Sequence, residues 1–236
     1  MKKYCVVSFC NMYILPYASI YIDLIVKNGA ECVLLFWDRD NTEGKNDNYP
    51  NCQKKCFSYK CDNNTNRINK VKGYLGAKSF FVNELCSEDY DGIIFLQTHA
   101  AISCYGVLKK KYIGKYIVDV RDWTLEHISV YRYIEEKCIK NSYRTVISSP
   151  AYKDFLPDFH YTVAHNFTPF SNETIDLLRE KSMVGQRKQP LSISFVGTVR
   201  FIEMNQKILD IFSNDSRLYF FITSKTSSFS YSHSGL

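Results

Sequence analysis

Short apolar runs alternate along most of this chain with longer segments whose apolar residues recur at helical spacing. Lys3 to Cys10 is the first run, centred on Val6 and Val7. The segment after it begins at Pro16, a residue suited to a helix's first turn, and carries Ile20, Leu24 and Ile25 before Gly29, a good terminator. Glu31 to Phe36 reads as the next strand. The alternation returns with Gly92 to Leu96, a helix over Ala100 to Lys110, a strand over Tyr116 to Val120, and a long helix from about Glu126 to Lys140 with Ile128, Tyr131, Ile134 and Cys138 as its stripe. Thr145 to Ser148, a short helix near Ala151 to Leu156, an extended Tyr161 to Ala164 and a polar helix over Asn172 to Lys181 follow. Strands rich in β-branched residues, spaced by helices long enough to cross over, predict an α/β fold with a mostly parallel sheet covered on both faces. Binding sites in such sheets lie beyond the carboxyl ends of the strands.

After Lys181 the character changes. Gly185, Gln186, Arg187, Lys188, Gln189 and Pro190 offer little to bury, and the pattern predicts a first domain over 1–182 and a linker over 183–191. Beyond it, Ile193 to Val196 and Leu218 to Ile222 read as strands around a helix with Met204, Ile208, Ile211 and Phe212 at helical spacing. This start of a second domain, 192–222, is one βαβ unit, too small to bury a core alone. The serine-rich 223–236 has no apolar period and is expected to be a disordered tail.

Composition narrows the class. With 45% hydrophobic and 23% charged residues the chain is an ordinary globular one. No run of about eighteen apolar residues exists, and Met1-Lys2-Lys3 leads directly into a strand, so neither a membrane span nor export is indicated and a cytoplasmic protein is expected. Most of the nine cysteines lie in or beside apolar segments, where a reduced thiol behaves as a small hydrophobe. Cys52, Cys56 and Cys61 stand in a polar stretch with zinc-like spacing but without an evident fourth ligand. The net charge of +6 is concentrated at Lys54-Lys55 and Lys109-Lys110-Lys111, which would suit anionic headgroups or an ordinary solvated face. No nucleic-acid-binding motif is present, and none of the zincin, Walker or Gly-x-Ser-x-Gly patterns occurs.

Four stretches carry a family resemblance: Gly114-Lys115-Tyr116-Ile117-Val118-Asp119-Val120-Arg121-Asp122, Val146-Ile147-Ser148-Ser149-Pro150, Val163-Ala164-His165-Asn166-Phe167 and Ile193-Ser194-Phe195-Val196-Gly197-Thr198-Val199-Arg200. In order and spacing they resemble landmarks of bacterial glycosyltransferases of the two-domain GT-B fold, closest to the group-1 (family 4) enzymes of capsule and lipopolysaccharide synthesis. The resemblance implies a Rossmann-like N-terminal, acceptor-binding domain of GT-B type, plus the first βαβ unit of a second Rossmann-like domain that holds a nucleotide sugar. It implies transfer of a sugar from that donor to a glycan or lipid-linked acceptor, with no other cofactor and with peripheral contact at the inner face of the cytoplasmic membrane. Two departures stand out. The loop Asn11 to Leu15 lacks the glycine usual after the first strand, and the family's paired-glutamate segment lies beyond the last residue, so an incomplete donor site in a truncated product is expected.

Glycosyl transfer needs a group to take or orient the acceptor hydroxyl proton, and cations or amide dipoles for the departing diphosphate. Asp122 and His127, after a buried strand, are the catalytic candidates; Asp119, Arg121 and His99 are expected to touch the acceptor. Gly197 and Arg200 resemble the phosphate grip of the second domain. His165-Asn166 ends the last strand of the first domain, where asparagine shapes a turn. Asp38-Arg39-Asp40 has the Asp-x-Asp form by which GT-A enzymes hold a cation, but the later landmarks fit GT-B, and no metal is expected. A noncatalytic remnant or accessory glycan- or partner-binding module is the alternative, and a sugar-nucleotide epimerase a third reading of the same architecture.

Overall fold

The computed structural model describes residues 1–15, 17–41, 49, 51–62, 65–122, 124–165, 172–183, 191–196 and 202–223. The chain divides into two compact units, Met1–Thr168 and Pro169–Leu236. Most of the expected linker and the serine-rich end lie outside the described residues.

The first unit is a Rossmann-like α/β sandwich. Its strands are β1 (Lys3–Ser8), β2 (Glu31–Asp38), β3 (Gln53–Ser58), β4 (Gly92–Leu96), β5 (Tyr116–Val120), β6 (Arg144–Ile147) and β7 (Tyr161–Val163). All seven pair in parallel in the order β3-β2-β1-β4-β5-β6-β7. Alternate side chains of each strand feed two cores, as the period of two requires. Cys5, Val7, Val33, Leu35, Ile93, Phe95 and Val118 face one way, onto α2 (Arg67–Ser87), α3 (Thr98–Ser103), α4 (Tyr105–Lys111) and α5 (Ser129–Lys140). Val6, Leu34, Phe36, Ile94 and Leu96 face the other way, onto α1 (Ala18–Lys27). Burying each such side chain is worth about 1.5–3 kcal/mol, which holds the strand ends in fixed register.

The helix phases differ from the sequence reading in two places. In α1 the buried positions are Ala18, Ile22 and Ile25, while Ile20 and Leu24 are turned outward. The expected stripe holds at Ile25 and fails at Ile20 and Leu24, because alanine, which carries little apolar weight in a pattern, marks the contact face at Ala18. In α5 the helix starts at Ser129, and Ile128 stands exposed before it.

Two elements carry no clear pattern in the sequence. β3, with the sequence QKKCFS, is an edge strand whose lysines blunt the open edge. Cys56 lies within it, Cys61 is buried beyond it, and no group of three candidate ligands that could hold a metal occurs among the described residues. α2 buries Gly73, Ala77, Phe81 and Leu85, four residues apart, while Ile68, Val71 and Leu75 are exposed. Its start is fixed by Asn66, whose side chain accepts the Asn69 amide at 2.9 Å. Gly73 has no side chain because a Cβ there would meet Trp37 at 2.8 Å and Tyr59 at 2.9 Å.

The second unit contains α6 (Asn172–Met183), β8 (Leu191–Val196), α7 (Ile202–Phe212) and β9 (Leu218–Thr223). β8 and β9 are parallel, with Ile193 beside Phe220, so β8-α7-β9 is one βαβ unit. Ile208, Ile211 and Phe212 of α7 are exposed.

Candidate functional site

In the first unit the strand order reverses at β1: the chain proceeds outward through β2 and β3 on one side, then crosses to β4 and continues through β7 on the other. The carboxyl ends of β1 and β4 therefore part into a crevice, the usual ligand position in an open parallel sheet. Phe9, Cys10 and Asn11 emerge from β1, Asp38 to Asp40 from β2, Gln97 to His99 from β4, and Arg121 and Asp122 from β5.

Gln97 is the focus of the crevice. Its φ of 91° is a conformation that a residue with a Cβ rarely adopts, and such strain persists only where surrounding contacts impose it. The contacts are present. The Gln97 amide donates to the Asp119 carbonyl at 3.0 Å, and the Cys10 thiol lies 3.7 Å from the Gln97 Oε1 that accepts from it. The kink turns the chain from β4 directly into α3, so that Gln97, Thr98 and His99 border a small recess with Arg121, Asp122 and Thr124. The recess measures about 10 Å³.

His99 sits edge-on to Phe9, their rings 5.5 Å apart. Burial, aided by the Arg39 cation, pushes its pKa down to about 4, so the imidazole is neutral near pH 7 and offers one donor and one acceptor. Arg39 is held over the rings of Trp37 (5.0 Å) and Tyr74 (5.9 Å) and donates to the Cys61 carbonyl at 3.2 Å. Asn11 locks the β1 and β2 ends together: its Nδ2 donates to Asp38 Oδ1 at 2.6 Å and its Oδ1 accepts the Arg39 amide at 3.0 Å. Asp38 Oδ1 also accepts the Asp40 amide at 3.2 Å, and Tyr13 bonds the Asp40 carboxylate. Asp38-Arg39-Asp40 thus forms an internally bonded corner.

Beneath the recess, Asp119 is fully buried and takes the Arg121 guanidinium through two oxygens, at 2.5 and 2.8 Å. Tyr21 of α1 donates to Asp119 at 2.6 Å, Arg121 donates to the Ala164 carbonyl beyond β7 at 2.7 Å, and its guanidinium stacks 4.5 Å from the Tyr17 ring centre. Burial raises the Asp119 carboxyl above its ordinary value against the pull of Arg121 and Tyr21. Tyr152 and Ser148 both bond the Arg121 carbonyl, at 2.7 and 3.3 Å, fixing the direction in which the chain leaves β5 toward exposed Asp122.

No protein-family model matches the sequence, and no curated protein matches it. Solved structures do. Sucrose-phosphate synthase from Thermosynechococcus elongatus is 8% identical, aligned over 93% of this chain and 70% of its own, with a TM-score of 0.59. Arabidopsis thaliana UGT89C1 complexed with UDP-L-rhamnose is 13% identical over 94% of this chain and 65% of its own, with a TM-score of 0.60. The lipopolysaccharide outer core galactosyltransferase WaaB, in its apo form, is 11% identical over 94% of this chain and 68% of its own, with a TM-score of 0.56. The fold is that of the GT-B glycosyltransferases. What is shared at this identity is the fold, and the chain spans about two thirds of the length of these proteins.

Within that fold the sequence-derived candidates separate. His99, Arg121 and Asp122 meet around the recess; Asp119 lies below it, sealed from solvent; His127 is exposed in the turn before α5 and does not line it. Gly197 and Arg200 lie outside the described residues. His165 stands at the end of β7 with its ring Nδ1 3.0 Å from the Ser148 carbonyl, and Asn166 lies outside the described residues. Gln97, Asn11 and Arg39 join the candidate site only through the structure. Nothing in a sequence marks a glutamine with positive φ, whereas an asparagine directly after an apolar strand is a signal of a bonded corner.

Proposed function

We propose that this chain acts in nucleotide-sugar-dependent glycosyl transfer, the first unit receiving the acceptor at the carboxyl ends of β1, β4 and β5. The observation that carries the reading is the recess between the carboxyl ends of β4 and β5, next to the strand-order reversal, where exposed Asp122 and neutral His99 meet over a rigid Asp119–Arg121 base. An acceptor hydroxyl at the recess would lose its proton to the Asp122 carboxylate as the bond to the sugar forms, the imidazole orienting the same or a neighbouring hydroxyl. Asp119 and Arg121 would position Asp122, and His127, exposed outside the recess, is assigned a role on the strength of the sequence pattern alone. Arg200 and Gly197, after β8, are assigned to the donor diphosphate on the strength of the sequence pattern. The sugar nucleotide is the substrate, and no further cofactor or metal is invoked.

The proposed setting is surface polysaccharide synthesis in the cytoplasm, with a growing glycan or a lipid-linked sugar as acceptor. Among the described residues no helix is long and apolar enough to cross a membrane. Support for a peripheral contact comes from a groove of about 610 Å³ lined by Val82 of α2, Ile102, Tyr105 and Val107 of α3 and α4, and Ile134 of α5. Exposed Lys78 and Lys110 stand at its rim, a combination suited to an anionic bilayer surface.

Calorimetric titration with a panel of UDP- and GDP-sugars tests the reading. Binding that weakens on Arg200→Ala, with transfer to a glycan acceptor lost on Asp122→Asn while donor binding persists, is the expected result. No binding across the panel would overturn it and leave the noncatalytic, glycan-binding alternative.

A further inference from the structure

At the opposite end of the sheet from the recess, two cysteines stand side by side. Cys32 is the second residue of β2, and Cys52 directly precedes β3. The parallel ladder sets Val33 beside Gln53 and Leu34 beside Lys54, so one step back along both strands Cys32 lies beside Cys52. Alternate residues of a strand share a face, and both side chains fall on the α1 side of the sheet. There Cys32 is 2% exposed inside the core, and half-buried Cys52 packs against the same core. Neighbouring strands run about 4.7–4.9 Å apart. That lies inside the Cα separation of about 4.4–6.8 Å that a disulfide bridges. Cys56, two residues further along the same face, stands opposite Phe36 and has no thiol beside it in the ladder.

Both cysteines are present as thiols, and their environments give them different parts. The hydrogen bond between them, with burial behind it, holds the Cys32 proton well above its ordinary affinity. The same bond, helped by the Lys54 cation, draws Cys52 below its ordinary value against its own burial. Cys52 also reaches the Tyr49 carbonyl at 3.4 Å. A partly exposed thiol beside positive charge is the kind that ionises and reacts, and a buried one is inert until another sulfur is presented to it.

We propose that Cys32 and Cys52 are a site of reversible oxidation, joined as a disulfide by a hydroperoxide so that edge strand β3 is stapled to β2. The Cys52 thiolate attacks one oxygen of the peroxide, the O–O bond breaks, and the other oxygen leaves with a proton as water. Cys52 is then a sulfenic acid. The Cys32 sulfur attacks that sulfur, the S–O bond breaks, and the departing hydroxide takes the Cys32 proton as a second water. The two thiols are oxidised by two electrons to the disulfide, and the peroxide is reduced to two waters. β3 has the sheet's open edge on one side and only β2 on the other. The new bond closes residues 33–51 into a loop and so constrains the unfolded chain. A small thiol reopens it by exchange. The site operates whether or not sugar transfer takes place at the recess.

The purified full chain is treated with hydrogen peroxide, its remaining thiols are alkylated in denaturant, and its peptides are weighed. The expected product is a pair of peptides joined through Cys32 and Cys52, separated by dithiothreitol. Its formation should raise the thermal midpoint by roughly 5 °C, and dithiothreitol should reverse the rise. Cys32→Ala should leave Cys52 as a sulfenic acid that a dione probe captures, with the midpoint unmoved by peroxide. In Cys52→Ser, which alters only a half-buried position, Cys32 should stay open to alkylation in denaturant after the same treatment. Cys52 carried on to the sulfinic acid while Cys32 remains a thiol would overturn the proposal. So would a bond that forms only after the chain is unfolded in urea, or one that leaves the midpoint where it was.

Discussion

Single residues at the strand ends trade stability for position. Gln97 holds φ at 91°, a conformation that costs a residue with a Cβ roughly 1–3 kcal/mol. Glycine there would feel no such penalty, although it adds freedom to the unfolded chain. Gln97→Gly is therefore expected to stabilise the protein by about 1 kcal/mol over Gln97→Ala in urea denaturation, while both variants lose the side chain bonded to Cys10. Equal stability of the two variants would show that the kink carries no strain. Glu135 gives the opposite kind of signature, one that depends on pH. Its carboxyl titrates at about 7 in the folded protein against an ordinary value of 4.5, so the folded state holds a proton that the unfolded chain releases. Below the ordinary value both states are protonated and nothing is lost. Between the two values stability declines as pH rises, and above the higher one the full penalty remains, at most about 3 kcal/mol for a shift of this size. Chemical denaturation from about pH 5 to about pH 8 should show this decline in the wild type and a flatter profile in Glu135→Gln.

At the level of elements, close approach governs what composition alone does not. α2 lies on Trp37 and Tyr59 through Gly73, and a methyl group at that position would sit 2.8 Å from the indole. Helix propensity favours alanine over glycine by about 1 kcal/mol, but an overpacked core costs about 1–3 kcal/mol, and a fully buried indole has nowhere to move. Gly73→Ala should lower the thermal midpoint; a rise would mean that the helix can shift outward at little cost. The same helix shows why it was not legible in the sequence. Its contact face is made of Gly73, Ala77, Phe81 and Leu85, two of them small, while Ile68, Val71 and Leu75 are exposed and suggest a different phase. β3 was hidden for a related reason, since an edge strand that carries Lys54 and Lys55 looks like a loop. The strands buried on both faces, β1, β2, β4 and β5, were plain because an apolar run is what that environment demands. Of the candidate site, strand ends bearing charge, such as Asp122, were readable, whereas the strained Gln97 and the burial of Glu135 depend on packing that no local pattern encodes.

On the scale of the whole chain, the two units differ in how much of their own core they enclose. Residues 1–168 contain a complete seven-stranded sheet with apolar layers on both faces, whereas β8-α7-β9 leaves Ile208, Ile211 and Phe212 of its helix exposed. A domain of the first kind buries enough apolar surface to offset its chain entropy, and one crossover unit does not. The segment 1–168 expressed alone is therefore expected to unfold in a single cooperative transition in urea and to keep the pH dependence set by Glu135, which it contains. Nucleotide-sugar affinity should behave otherwise. If Gly197 and Arg200 hold the donor diphosphate, the isolated segment loses that affinity while the full chain keeps it, and calorimetry on the two proteins side by side separates the roles. Affinity retained by 1–168 would move the donor contact onto the strand ends of the first sheet and release Arg200 from its assigned part. A segment that fails to unfold cooperatively would mean instead that the apolar layers around β1 to β7 are incomplete without the residues that follow.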